Sequence, residues 1–159
     1  MLNIVPATLP GDLADIKALF REYAGLVAEA LCFQHFDQEL AALPGAYAPP
    51  GGALLIARDA DAAEVAAGCV ALRRIDAATG EMKRMFVRES YRGSGLGRRL
   101  ALEVIEEARR RKYSRLVLDT LPQMPEAQAL YRSFGFVEIP GYYDNPLPGV
   151  VFMALALDR

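Results

Sequence analysis

Apolar positions along this chain recur with two periods, and the period changes from one segment to the next. Leu13, Ile16, Leu19, Phe20, Tyr23 and Val27 recur at three- and four-residue steps, the buried face of a helix opened by Pro10-Gly11-Asp12. Leu2 to Val5 alternates and is short, which predicts an edge strand ending before Pro6. Leu31 to Tyr47 reads as a loop and a short second helix, with Asp37 as its N-cap and Phe33 and Phe36 in the core. Pro49-Pro50-Gly51-Gly52 is a hard turn. Ala53 to Arg58 and Val65 to Ile75 then read as strands around the polar turn Asp59 to Glu64, and Thr79-Gly80 turns the chain into a central strand, Met82 to Val87. Strands joined by turns alone give an antiparallel meander.

The helical period returns further on. Leu100, Ala101, Val104, Ile105 and Ala108 form one stripe, opposite Glu103, Glu106, Glu107, Arg109 and Arg110, as in a helix packed on a sheet. Arg111 and Lys112 suit its C-terminal dipole. Arg115 to Asp119 is a short apolar strand, buried and parallel to the central one across this helix. Pro125 and Glu126 open a further helix with Ala127, Leu130, Tyr131 and Phe134 on one face, closed by Gly135. Phe136 to Ile139 is a strand, Pro140 to Gly149 a tyrosine- and proline-rich loop, and Val150 to Leu157 a last strand. The fold class is α+β: one domain over residues 1–159, with a mixed, mostly antiparallel sheet and a βαβ unit at its middle.

Composition narrows the class. A chain of 159 residues with 53% apolar and 24% charged residues suits one globular, soluble domain. A net charge of −2 supplies no basic field for nucleic acid. Cys32 and Cys69 are far apart and read as reduced thiols, and His35 is the only histidine, so no metal site is expected. No apolar run approaches the roughly 18 residues of a membrane span and no signal pattern opens the chain, so a cytoplasmic protein without membrane partners is expected.

The chemistry concentrates after the central strand. Arg92 to Gly97 (RGSGLG) is a glycine-rich loop that leads into a helix from Arg98. Glycines let backbone approach a ligand and take positive φ. A loop opening a helix also aims unpaired N–H groups and a dipole at one spot, which makes an anion site. Arg92, Arg98 and Arg99 flank it with guanidinium groups suited to phosphate. A P-loop is excluded, because no GK[ST] follows. A dinucleotide fingerprint fits Gly93 and Gly95, with Asp119 as a ribose acid. Against it, Arg98 takes the third glycine's place, and five residues separate Val87 from Gly93.

Val87 followed by RESYRGSGLGRRL resembles the acyl-CoA-binding motif of the GNAT superfamily of N-acetyltransferases, [RQ]xxGx[GA], with Arg92, Gly95 and Gly97 at its fixed positions. ALYRSFGF downstream is similar to that superfamily's LYxxxGF helix end, and the order of strands matches from end to end. The stretches FREYA, ELAALPGAY, LDTLPQM and YYDNPLPGVVFM look closer still to a bacterial subgroup of small acetyltransferases of mostly unassigned substrate.

The resemblance implies a GNAT-like domain with helices on both faces of its sheet, and acetyl-CoA as donor. Its pyrophosphate would lie on the N–H groups of Arg92, Gly93, Ser94, Gly95, Leu96, Gly97 and Arg98. Its pantetheine arm would pair like an added strand with Met85, Phe86 and Val87, where the central strand splays from its parallel neighbour. Tyr131 stands where the family's thiolate-protonating tyrosine stands, and equally fits a core position. Glu81 matches the general-base glutamate of some members, and two-residue alternation places it on one face with Lys83, Met85 and Val87. A backbone N–H near Phe86 or Val87 would bind the oxyanion. Members often carry Asn seven residues before the tyrosine, where this chain has Met124.

Two functions stay open: an N-acetyltransferase acting by direct attack of a primary amine in a ternary complex, and an acyl-CoA-binding module without turnover. A homodimer is also left open. In the rigid loop, Tyr142, Tyr143 and Asp144 are candidate contacts for a cationic amine, through charge and cation–π attraction. A structural role, with the tyrosines covering the sheet end and Asp144 capping a turn, fits the same residues.

Overall fold

The computed structural model describes residues 1–27 and 35–157, so Cys32 and Phe33 lie outside the described residues. Its strands are β1 (Leu2–Pro6), β2 (Ala53–Asp59), β3 (Val65–Asp76), β4 (Thr79–Val87), β5 (Arg115–Thr120), β6 (Val137–Ile139) and β7 (Val151–Ala156). The α-helices are α1 (Leu13–Leu26), α2 (Phe36–Ala42), α3 (Leu96–Arg110) and α4 (Pro125–Ser133). The strands form one sheet in the order β1-β2-β3-β4-β5-β7-β6. The expected meander is β1 to β4, and β5 joins parallel to β4 after the α3 crossover.

Helices cover both faces. On one, Leu100 and Val104 of α3 meet Val70, Leu72, Met82 and Leu116 of the sheet. On the other, Ile16, Leu19 and Phe20 of α1 meet Ile56, Cys69 and Phe86. The stripes read from sequence are these two interfaces, and apolar burial on this scale is the main term holding helices to sheet.

Three local expectations change. Thr79 and Gly80 belong to β4, and the turn falls at residues 77–78. Gly80 is there for space: a Cβ would lie 2.9 Å from the Tyr113 ring and 3.0 Å from Leu72. Helix α3 begins at Leu96, two residues early, because Gly95 at φ +85° ends the loop and Leu96 is already buried. Asp37 sits within the first turn of α2, whose N-cap position is His35.

The most consequential change is a β-bulge in β4. Ala71 pairs with Lys83 and Cys69 with Phe86, so β4 carries one residue more than β3 over this stretch. Arg84 adopts φ +59°, an uncommon backbone for a residue with a side chain. The inserted residue reverses the alternation. Met85 and Val87 pack on the α3 side with Met82, while Phe86 packs on the α1 side. Before the bulge, Ala71, the partner of Lys83, belongs to the α1 side. Glu81 and Lys83 therefore face α1, and the expected single face of Glu81, Lys83, Met85 and Val87 is not formed.

Candidate active site

A cleft of about 640 Å³ opens where β4 and β5 part. The two strands pair only at Thr79↔Arg115, Gly80↔Leu116 and Glu81↔Val117. Beyond that rung, Met85, Phe86 and Val87 line the cleft with backbone that β5 does not reach. An extended amide chain could pair along this edge as an added strand does.

The glycine-rich loop closes one end of the cleft. Gly93 (φ +81°) and Gly95 (φ +85°) have nothing within 4 Å of where a Cβ would stand, so their open side faces free space. Arg99 N is bonded to Gly95 O at 3.1 Å, and helix geometry leaves the N–H groups of Leu96, Gly97 and Arg98 at the open end. Arg92 and Arg98 line the cleft, Arg98 resting 4.7 Å over the Phe134 ring and Arg92 donating from Nε to Val87 O at 2.9 Å. Arg99 is drawn off to Leu2 O at 2.8 Å. Ser94 lies outside the cleft wall, its Oγ donating to Tyr91 O at 2.5 Å. The concavity, the dipole end and two guanidinium groups suit a phosphate.

Tyr131, on α4, is 6% exposed, packs against Phe136 at 5.8 Å between ring centroids and lines the cleft. Burial pushes its hydroxyl above the ordinary tyrosine range, with Tyr23 and Asp119 adding to the effect. It lies on the same side of the sheet as Met85 and Val87.

Glu81 is 0% exposed and lies outside the cleft wall. Arg73 Nε donates to its Oε1 at 2.6 Å, and the Tyr142 hydroxyl donates to its Oε2. Tyr143, the next residue, donates its hydroxyl to Asp119, and Asn145 Nδ2 donates to Tyr143 at 2.9 Å. Both tyrosine rings also stack edge-on against Phe152. The β6–β7 connection thus sends two adjacent hydroxyls to two carboxylates that flank the splay. Asp144 is exposed and outside the cleft wall.

Sequence reasoning passed over Lys83, Arg84 and Tyr23, and read Asp119 only as a ribose acid. All four line the cleft. Burial lowers the Lys83 ammonium. Arg84 is 3% exposed, held by Glu39 of α2 through Nε at 2.8 Å and Nη2 at 2.7 Å. Adjacent cations between the apolar residues Met82 and Met85 were the signal available for Lys83 and Arg84. Among the described residues, no cluster of His, Cys, Asp or Glu could hold a metal ion, and no helix is long and apolar enough to cross a membrane.

Comparison with known proteins places this arrangement. The model of the acetyltransferase (GNAT) family matches residues 13–136. An uncharacterized N-acetyltransferase of Schizosaccharomyces pombe is 42% identical over 159 residues, covering 99% of this chain and 96% of that protein. The crystal structure of an acetyltransferase from Streptococcus agalactiae shares the fold at a TM-score of 0.78 with 25% identity, over 98% of both chains. A GNAT family acetyltransferase from Elizabethkingia anophelis, with acetyl-CoA bound, does so at 0.64 with 22% identity, also over 98% of both. Fold and relatives define an acyltransferase. The chain belongs to the acetyltransferase (GNAT) family and is an enzyme of the N-acetyltransferase class. The dinucleotide reading falls, since it needs a doubly wound parallel sheet and β4–β5 is the only parallel pair among the described strands.

Proposed function

We propose that this protein transfers the acetyl group of acetyl-CoA to a primary amine, by direct attack in a ternary complex. The observation that carries the reading is the splay of β4 from β5 beside the glycine-rich loop. The edge of β4 at Met85 to Val87 that β5 leaves unpaired suits the amide-bearing arm of the donor, and the open concavity at Gly93 to Arg98 suits its pyrophosphate. A relative of the same fold is described with acetyl-CoA bound, which supports the same donor here.

Acetyl-CoA supplies a thioester whose carbonyl carbon accepts an amine and whose sulfur leaves as thiolate. The chain's own residues do the rest. Backbone N–H at Phe86 or Val87 stabilises the oxyanion, and Tyr131 gives the departing sulfur a proton. Glu81, bonded through both oxygens, acts as a positioning residue: it fixes Arg73 and Tyr142 and so the floor of the acceptor side. Tyr142 and Tyr143 shape that side through the carboxylates they hold, and Asp144 contributes only long-range charge at its rim.

A panel of amines assayed for release of CoA thiol tests the function. Amine-dependent release identifies the enzyme and its acceptor class. Tight acetyl-CoA binding with no release for any amine would make the chain a non-catalytic acyl-CoA binder.

A further inference from the structure

We propose that Asp119 is the catalytic residue that receives the acceptor: its carboxylate pairs with the incoming ammonium and takes the proton that must leave before attack. The proposal rests on the acetyltransferase reading above.

Asp119 stands near the end of β5, two residues beyond the last β4–β5 rung at Val117, and lines the cleft at the point where the strands open. Leu116 and Leu118 lie in the core on the α3 side, so alternation turns Asp119 to the α1 side. Tyr131 belongs to the α3 side. The proton acceptor and the proton donor thus lie on opposite faces of one opening. An amine entering from the α1 side and a sulfur leaving toward Tyr131 need no rearrangement between them.

The carboxylate is held in place. Tyr143 donates to its Oδ2, and Asn145 fixes Tyr143 in turn. The charged and titratable side chains that share the cleft wall near Asp119 are Lys83 and Arg84 from β4, Tyr23 from α1 and Tyr131 from α4, while Tyr143 and Tyr142 reach Asp119 and Glu81 from behind that wall. Tyr23, Lys83, Tyr131, Tyr142 and Tyr143 all feel the charge of Asp119. Glu81 has both oxygens bonded and no place in the cleft wall, whereas Asp119 lines it.

The ammonium gives one proton to Asp119, and the freed lone pair forms the C–N bond at the thioester carbon. The C–S bond breaks, and the sulfur takes a proton from the Tyr131 hydroxyl. The second nitrogen proton restores Tyr131 through solvent, and Asp119 releases its proton to water. One proton is released per acetyl group moved.

The test is Asp119→Asn, which keeps an oxygen for Tyr143 and removes the charge. With the best amine of the panel, kcat/KM for the amine should fall by about 100-fold or more, while acetyl-CoA affinity by calorimetry stays within about twofold. Asp119→Glu should recover part of the loss. Should Asp119→Asn fail to fold, Tyr143→Phe decides, because it removes only the hydroxyl that orients Asp119: a fall of about tenfold in kcat/KM with an intact fold supports the proposal. Asp119→Asn, or that fallback, within about twofold of wild type overturns it. Absence of any turnover by the wild-type protein overturns the proposed function first, and this step with it.

Discussion

Glu81 and Val117 are the last residues paired between β4 and β5, and the cleft begins at the next residue of each strand. The carboxylate at that rung is fixed by Arg73 and Tyr142, so the point of divergence is tied on both sides. Glu81→Ala should therefore act on stability before it acts on chemistry. It leaves the Tyr142 hydroxyl and Arg73 without their acceptor, a loss of roughly 1–3 kcal/mol. Thermal unfolding should show a lower Tm. An unchanged Tm would mean that the rung holds without its carboxylate.

The glycine-rich loop makes a second prediction. Gly95→Glu puts a carboxylate into the space where phosphate is proposed to sit, on a backbone at φ +85°. Acetyl-CoA affinity, read by calorimetry, should fall by more than about tenfold, with strain of about 1–2 kcal/mol in the fold. Full affinity in a folded variant would remove the loop from the binding site.

Tyr131→Phe keeps the ring against Phe136 and removes only the hydroxyl. Turnover should fall by about 10²–10⁴-fold, with little change in acetyl-CoA affinity. A general acid works while protonated, so its alkaline limb follows its pKa. Burial raises that pKa above the ordinary value of about 10, so the wild-type rate should show no loss from this group up to pH 10 or so. A wild-type rate in the variant would leave Tyr131 as core alone.

The Glu39–Arg84 pair ties α2 to the bulge of β4, and Arg84 is almost wholly buried. Glu39→Ala leaves a buried guanidinium without this partner, which should cost about 3 kcal/mol. Denaturant unfolding measures it directly. A change below about 0.5 kcal/mol would show that Arg84 is held without Glu39.

In the acceptor wall, Asp144→Ala should change the Michaelis constant for the amine by less than about twofold, since Asp144 is exposed and outside the cleft. A tenfold rise would return it to direct amine contact.

Much of this was legible in the chain. The meander, the α3 stripe and the parallel pair follow from periods of two and of three to four, because burial on one face imposes them. The loop at Gly93 and Gly95 was readable because positive φ restricts residue choice. The bulge was not. One inserted residue at Arg84 leaves the apolar pattern nearly intact yet moves Glu81 and Lys83 to the face opposite Met85 and Val87. The bond between Asp119 and Tyr143 stayed hidden for another reason: it joins β5 to a distant loop, and no local spacing encodes it.

Thiol release measured while acetyl-CoA and amine are both varied separates direct attack from transfer through an acetylated enzyme. Direct attack in a ternary complex should give release that requires both substrates, with double-reciprocal lines that intersect. Parallel lines, or a burst of thiol from acetyl-CoA alone, would contradict it by showing an acetylated enzyme; no release with any amine would show that the cleft binds without transferring.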